Sequence, residues 1–487
     1  MNKLLDFYNN HKVWIWIVAT IVTVVPFVVC FFGPMYFVDS AYYIAIAERI
    51  SEGNTLYTDV CCGYSPIWFY IEAAFRRLFG VPLGCYWPYL ILYDVFFAST
   101  AILLYKLIMQ YTNNKLIAIF CAWLFLPLTY WQQAYSVMLE IPSVFFGLLA
   151  CYGIVISKNR SCWNYLWVGA IACCAFLTKQ FGAGFIAINL FQLLFIDRRD
   201  YKSIGLYLMG YCVPILLCWV IWKQDFWVSI LGNGYGTKSA SEAGQDITLW
   251  YKSTNMLFHI LRFCEDACVA VFAGLCIAPY SKQQKRLPYY LLAILGMLGF
   301  SLQFYFAGGR HYRVYLIPFA MILIAEMLVV QTPKWLTWAK YVTLIVTIFA
   351  SLYNSHIMMV LGRKDYPPQA IRQHTEVIKK YVPDGDILWP SQAHYFALTF
   401  TTKTIMPNLS TIGYSFGPLG LNQEKAMQQA RAAQWIVHDL TKLHEPYYVT
   451  DSLNDYICQF PSIPLDKEGS LRLFKMSKEE IKPIVQP

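Results

Sequence analysis

Apolar residues along this chain fall in long unbroken runs rather than in alternation with polar ones. Runs of spanning length, or slightly short of it, lie near 13–33, 86–109, 115–131, 141–157, 163–178, 181–196, 204–222, 264–280, 288–306, 314–331 and 341–361. A bilayer core takes about 20 apolar residues per helix, so the pattern predicts an α-helical polytopic membrane protein with about eleven transmembrane helices. Pro26, Pro127, Pro214 and Pro318 fall inside or near these runs, which membrane helices tolerate where neighbours satisfy the freed backbone groups.

Between 34 and 85 the pattern changes to a stripe. Tyr43, Ile46, Ala47 and Ile50 share one face, with Glu48, Arg49 and Glu52 away from it. That arrangement predicts a helix lying flat at the membrane interface. IWFYIEAAFRRLFG, residues 67–80, reads as a second short amphipathic helix. Ordinary connections are far shorter than this first outer loop, which is long enough to form a groove between the lipid surface and the protein.

From 362 the pattern changes again. PPQAIRQHTEVIKKYVPDGDILWP predicts an amphipathic helix, a turn and a short strand. A helix near 422–441 and strand-like YYVTD and LRLFKM follow. We therefore expect two domains, a transmembrane domain over 1–361 and a small extracytoplasmic α/β domain over 362–487. No internal repeat is visible, which counts slightly against a transporter.

Composition agrees with the runs. The 487 residues are 57% hydrophobic and only 14% charged, against about 25% charged in soluble domains. The 36 Tyr, 33 Phe and 16 Trp suit membrane interfaces. A net charge of +9 would suggest nucleic acid in a soluble chain; here it reflects basic loops, and no nucleic-acid partner is expected. With an inner N-terminus (Lys3, Lys12), the predicted inner loops carry Lys106 and Lys115, Lys158 and Arg160, Arg198, Arg199 and Lys202, Lys282, Lys285 and Arg286, then Lys334 and Lys340. Every one holds at least two cations, as the positive-inside bias requires. The first run lacks a small-residue cleavage site and reads as a retained signal anchor. Most of the 15 cysteines lie in apolar runs, where a thiol behaves as a small hydrophobe. No pair has zinc-site spacing, so no metal and no cofactor are expected. Cys61, Cys62, Cys85 and Cys458 fall outside the runs and leave room for one disulfide.

The same alternation gathers polar residues on the outer face. Asp39 stands where the first run ends; it suits a helix N-cap, and one carboxylate oxygen would still be free to face a cleft. Asp59 follows in the same loop. Glu140 precedes Ile141-Pro142 at the start of a helix, where negative charge is favoured. Lys179 and Gln180 occupy a short outer turn; Lys179 suits either snorkelling or an anionic partner. Arg310, His311 and Arg313 suit interfacial anchoring or the same anionic partner. Carboxylates and cations on one face, near a lipid-level groove, suit chemistry on a lipid-linked anionic substrate.

VDSAYYIAIAERISEGNTLYTDVCCGYSPIWFYIEAAFRRLFG, LEIPSVFFGLLA, FLTKQFGAGF and HYRVYLIPFAMILIAE, in this order, resemble the membrane-embedded GT-C glycosyltransferases, in particular the bacterial branch related to protein O-mannosyltransferases and the lipid A aminoarabinose transferase. The resemblance covers most of the membrane part. It implies inverting transfer of a hexosyl or pentosyl group from a polyprenyl-phosphate donor to a lipid, glycan or protein acceptor on the outer face. It also implies a bacterial cytoplasmic membrane. It assigns Asp39 as the general base on the acceptor hydroxyl. Glu140 matches a second acidic position, and Lys179, Gln180, Arg310, His311 and Tyr312, with Asp59, are the candidate substrate-binding residues. A base is needed because a hydroxyl is a poor nucleophile until its proton is taken, and single displacement needs one carboxylate where a retaining path needs two. Cations near the leaving phosphate would stabilise its developing charge.

Two departures stand out. Many relatives carry Asp-Glu where this chain has Asp39-Ser40, and some carry a lysine before the first-loop proline where it has Tyr64-Ser65-Pro66. The alternative reading is a transporter or flippase of lipid-linked saccharides, which would place ionisable groups near mid-membrane. Asp94 and Glu326 are the residues that favour it.

Overall fold

The structure, a computed structural model, describes residues 38–60, 62–82, 85–129, 137–232, 253–254, 257, 265–302, 310–338, 340–342, 344–346, 349, 368–383, 385–390, 404–405, 423–442 and 451–484. The first apolar run, most of the last one and the first four residues of the predicted strand YYVTD lie outside the described residues, and its Asp451 opens a helix.

Each apolar run between 86 and 331 is helical over its described residues. In chain order these are α3 (Tyr86–Thr112), α4 (Lys115–Thr129), α5 (Glu140–Ile156), α6 (Asn164–Thr178), α7 (Gly184–Phe191), α8 (Tyr201–Gly232), α9 (Glu265–Gln283), α10 (Leu287–Ser301) and α11 (Ile317–Val329). Ahead of them come α1 (Val38–Ser51) and α2 (Ile67–Phe79). Among the described residues, three helical stretches are long and apolar enough to cross a membrane, Tyr86–Thr112, Glu140–Asn159 and Tyr201–Trp227. They and the composition mark an integral membrane protein, while the expected total of eleven spans is not reached by length and composition alone.

α6 and α8 touch backbone to backbone. A Cβ on Gly169 would stand 2.0 Å from the Tyr207 carbonyl oxygen, and one on Gly210 would stand 1.9 Å from that of Leu166. Reciprocal glycines of this kind let membrane helices approach closely. α8 is interrupted at Lys223, whose φ of 50° and ψ of −128° are not helical. Two apolar cores result. One joins α3, α4, α5, α10 and α11; the other joins α1, α2, the start of α3, α6 and α8.

The basic loops meet at one end of this bundle. Arg199 donates to the Lys158 carbonyl at 3.0 Å, and Arg286 donates to the Tyr111 carbonyl at 2.9 Å and to Glu326 at 2.7 Å. Lys158 follows the C-terminal end of α5, whereas Glu140 opens its N-terminal end. The two sets of residues thus lie at opposite ends of one helix.

α1 departs from the interfacial expectation. Tyr42 through Ser51 are all buried, Glu48 and Arg49 included, so the supposed polar face is covered. Arg49 is satisfied by Glu52 at 2.8 Å, and α2 lies across it. α2 buries Trp68, Phe69, Glu72 and Ala73 and exposes Leu78 and Phe79.

Beyond 368 stands a mixed five-stranded sheet, with β1 (Ile387–Pro390), β2 (Thr404–Ile405), β3 (Trp435–Asp439), β4 (Ser462–Pro464) and β5 (Leu471–Lys475) in the order β2-β1-β3-β5-β4. β1 runs parallel to β2 and β3; β5 runs antiparallel to β3 and β4. Side chains alternate across it. Leu388, Trp435, Val437, Leu471 and Leu473 pack with Ile378 and Val382 of and after α12 (Pro368–Tyr381). Trp389, Ile436 and Phe474 pack with α13 (Gln423–Ala432) and α14 (Asp451–Ile457) on the other side. Cys62, Cys85 and Cys458 are free thiols, so the disulfide allowed by the sequence is not formed among them; Cys61 is outside the described residues.

Candidate active site

Four separate segments converge at the Glu140 end of the bundle. Glu140 is the first residue of α5 and is fully buried. α6 stops at Thr178 because Lys179 turns to an extended conformation, φ −150° and ψ 138°, and a 3₁₀ turn, Gln180–Ala183, leads into α7. That turn is drawn down onto its neighbours. A Cβ at Gly182 would lie 2.1 Å from the Ala175 carbonyl oxygen, and Ser143 of α5 donates to that same oxygen at 2.9 Å.

Lys179 is therefore inside the protein. Its side chain is 1% exposed and pairs with the Glu140 carboxylate. The ammonium also sits over two rings, 5.4 Å from the centroid of Tyr64 and 5.1 Å from that of Tyr312, both favourable cation–π distances. Lys179 does not snorkel: its anionic partner is Glu140. An isolated buried charge would be costly, and this pair with its two aromatic faces offsets that cost.

The loop between α1 and α2 supplies the third wall. Gln180 donates to the Gly63 carbonyl at 2.6 Å, and Tyr57 donates to the Tyr64 carbonyl at 2.7 Å. Tyr43 of α1 meets the Tyr64 ring edge-on with centroids 5.2 Å apart. Tyr57 holds a φ of 70° and is fully buried, with the Trp222 ring 5.6 Å away. A non-glycine residue in that region costs energy and is kept where its surroundings fix it. Tyr312, in the 3₁₀ segment Arg310–Tyr315, closes the cluster and packs on Phe181 at 4.8 Å.

Of the residues expected from the sequence, Glu140, Lys179, Gln180 and Tyr312 come together. Asp59 does not join them. It is exposed, and its carboxylate accepts the Thr55 N–H at 2.7 Å, which braces the turn that carries Tyr57. The backbone of Asp39 lies in the first turn of α1 rather than ahead of the helix. It stands three and four residues before Tyr42 and Tyr43, one helical turn from the ring that touches Tyr64. The side chains of Asp39, Arg310 and His311 are outside the described residues. Sequence reasoning missed Tyr43, Tyr57 and Ser143, since a buried tyrosine among 36 carries no local signal of its contacts. Among the described residues no group of three His, Cys, Asp or Glu side chains could hold a metal ion.

The sequence matches no family model and no curated protein. The fold is nevertheless one already known from solved structures. ArnT from Cupriavidus metallidurans superposes in its crystal structure bound to undecaprenyl phosphate with a TM-score of 0.63 at 12% identity, over 95% of this chain and 98% of that one. Its apo structure gives 0.59 at 12% identity, over 96% and 99%. The Archaeoglobus fulgidus oligosaccharyltransferase, tethered with an acceptor peptide containing the NVT sequon, gives 0.51 at 10% identity, over 90% and 70%.

Proposed function

We propose that this chain is an inverting glycosyltransferase that moves a hexosyl or pentosyl group from a polyprenyl-phosphate donor to a lipid, glycan or protein acceptor. The supporting observation is the convergence of the first outer loop, Glu140, the Lys179–Gln180 turn and Tyr312 at one end of a bundle with the ArnT fold. Asp39, one turn from Tyr43, serves as general base and takes the acceptor proton as the hydroxyl attacks the anomeric carbon. The donor phosphate leaves with the bonding electron pair, and Arg310 and His311 are the cations beside Tyr312 that stabilise it. Lys179 is committed to Glu140, so its role is to hold the loop and Tyr312 in register rather than to supply a free charge. The site lies on the outer face of a bacterial cytoplasmic membrane, with the C-terminal domain on the same side.

The transporter reading now rests on one of its two residues. Arg286 neutralises Glu326 through both carboxylate oxygens, whereas Asp94 keeps one buried oxygen, Oδ1, without a hydrogen-bond partner among the described residues. The two readings separate in one experiment. Purified protein is offered a panel of short-chain polyprenyl-phosphate sugars, and Asp39→Asn is expected to lower transfer by about 10²–10⁴-fold. Full transfer by the variant removes Asp39 as base. Absence of turnover by the wild type on every donor, with movement of a lipid-linked saccharide across vesicles, establishes transport.

A further inference from the structure

Glu72 is a carboxyl group in a place built for none. It lies midway along α2, on the face that beds between α1 and α3, and is 0% exposed. Neither of its oxygens has a hydrogen-bond partner among the described residues. The nearest donors are Trp68, whose Nε1 donates to the Tyr93 hydroxyl, and that hydroxyl itself; both favour the ionised form of Glu72 but are outweighed by burial. Arg76, one turn further along the same helix, directs its Nη1 to Ser51 and forms no ion pair with Glu72. Around it, Trp68 packs edge-on against Tyr93 at 5.2 Å and against Phe96 at 4.7 Å, and Phe75 lies 6.2 Å from Tyr89.

Among the groups facing this interface, one makes ionisation harder still. α1 contributes Glu48, itself 5% exposed, whose charge bears directly on Glu72. α3 contributes the hydroxyls of Tyr89 and Tyr93, and α2 itself contributes Arg76. α6, which also packs on α2, brings no titratable group to bear on Glu72 among the described residues. A buried carboxylate with no counter-ion and a like charge nearby takes up a proton instead.

We propose that Glu72 is a proton-binding site that couples the docking of α2 to the pH of the medium: as the neutral acid it lets the helix bed between α1 and α3, and loss of the proton loosens it. Burial, reinforced by Glu48, pushes the carboxyl up to about 8, against the opposing effects of Tyr93 and Trp68. The sign follows. A carboxyl raised in the docked state and ordinary (4.5) when undocked favours docking fully at acid pH, and that advantage is lost as pH rises toward about 8. The consequence reaches the candidate site, because α2 begins directly after the Tyr64-Ser65-Pro66 segment that sets a ring over Lys179.

The test uses the full chain in lipid nanodiscs and needs no substrate, so its outcome is separate from that of the glycosyltransferase reading. Infrared pH titration is expected to show a protonated-carboxyl band at about pH 6 that fades with a midpoint above about 7 and is missing from Glu72→Gln. Amide exchange in residues 67–79, corrected for its intrinsic pH dependence, should lose up to about a hundredfold of its protection between about pH 6 and about pH 9 in the wild type and none in Glu72→Gln. Glu48→Gln is expected to lower the infrared midpoint, a shift read without altering Glu72 itself. A wild-type spectrum unchanged by Glu72→Gln, or exchange that rises equally in both proteins, overturns the proposal. Should Glu72→Gln not fold, the wild-type titration with Glu48→Gln decides: an unmoved midpoint overturns it.

Discussion

At the scale of single residues, the pair Glu140–Lys179 carries the sharpest expectation. The partners are 0% and 1% exposed, so removing one takes from the other its paired charge in a low-dielectric site. Lys179→Met should destabilise the protein by about 3–5 kcal/mol, while the double variant with Glu140→Leu should recover most of that loss. Thermal unfolding in detergent measures the cycle. Transfer activity should stay low in the double variant, because the neutral pair no longer holds Tyr64 and Tyr312 about an ammonium. Equal stability of the single and double variants would mean that the charges are not coupled.

The same scale shows what the sequence could and could not reveal. Glu140, Lys179, Gln180 and Tyr312 were legible because each is a polar or aromatic residue at the end of an apolar run, and helix ends on one side of a bundle must meet. Asp59 was misleading because a carboxylate bracing its own turn looks in sequence like one aimed at a ligand. Glu72 was invisible as a site: one acid in FYIEAAF reads as the polar edge of an amphipathic stripe, and only tertiary packing turns that edge inward.

At the scale of elements, the apolar runs gave the helices, since membrane length and period are written in the sequence directly. The burial of α1 was not, because its covering by α2 depends on a loop path that no local pattern encodes. Helix contacts can also be tested one at a time. Gly210 brings α8 against α6 so closely that an added Cβ would meet the Leu166 carbonyl at 1.9 Å. Neither backbone can yield as a flexible side chain would, so the helices must part. Gly210→Ala should cost about 1–3 kcal/mol, whereas Gly205→Ala in the same helix, where nothing lies within 4 Å, should be close to neutral or stabilising. Similar losses at the two positions would show that helix propensity, and not the crossing, governs them.

At the scale of the whole molecule, the bundle and the C-terminal sheet should respond to acid differently, and the sheet's response can be worked out from its histidines. His438 lies in β3, 0% exposed, with Asn454 3.2 Å from its ring nitrogen. Burial lowers its affinity for a proton below the ordinary 6.5, and the contacts with Asn454 and Asp439 only partly restore it. His374 of α12 is lowered for the same reason, opposed by Asp466. Each histidine therefore binds a proton more readily in the unfolded chain than in the folded one. Their contribution to stability is complete above about 6.5 and is lost as pH falls below it. Asp466 acts in a lower window. Burial opposes its ionisation, but hydrogen bonds from Ser470 and the Leu471 and Gly469 amides outweigh that and hold it below 3.8, so its contribution disappears only as pH falls through the carboxylate range. Two steps of acid lability are expected over residues 368–484, the first between about pH 6.5 and about pH 5 and the second below about pH 4. Amide exchange of the full-length protein over that segment reads both. His438→Gln should remove part of the first step and leave the second in place; a first step of unchanged size in that variant would assign it to other groups.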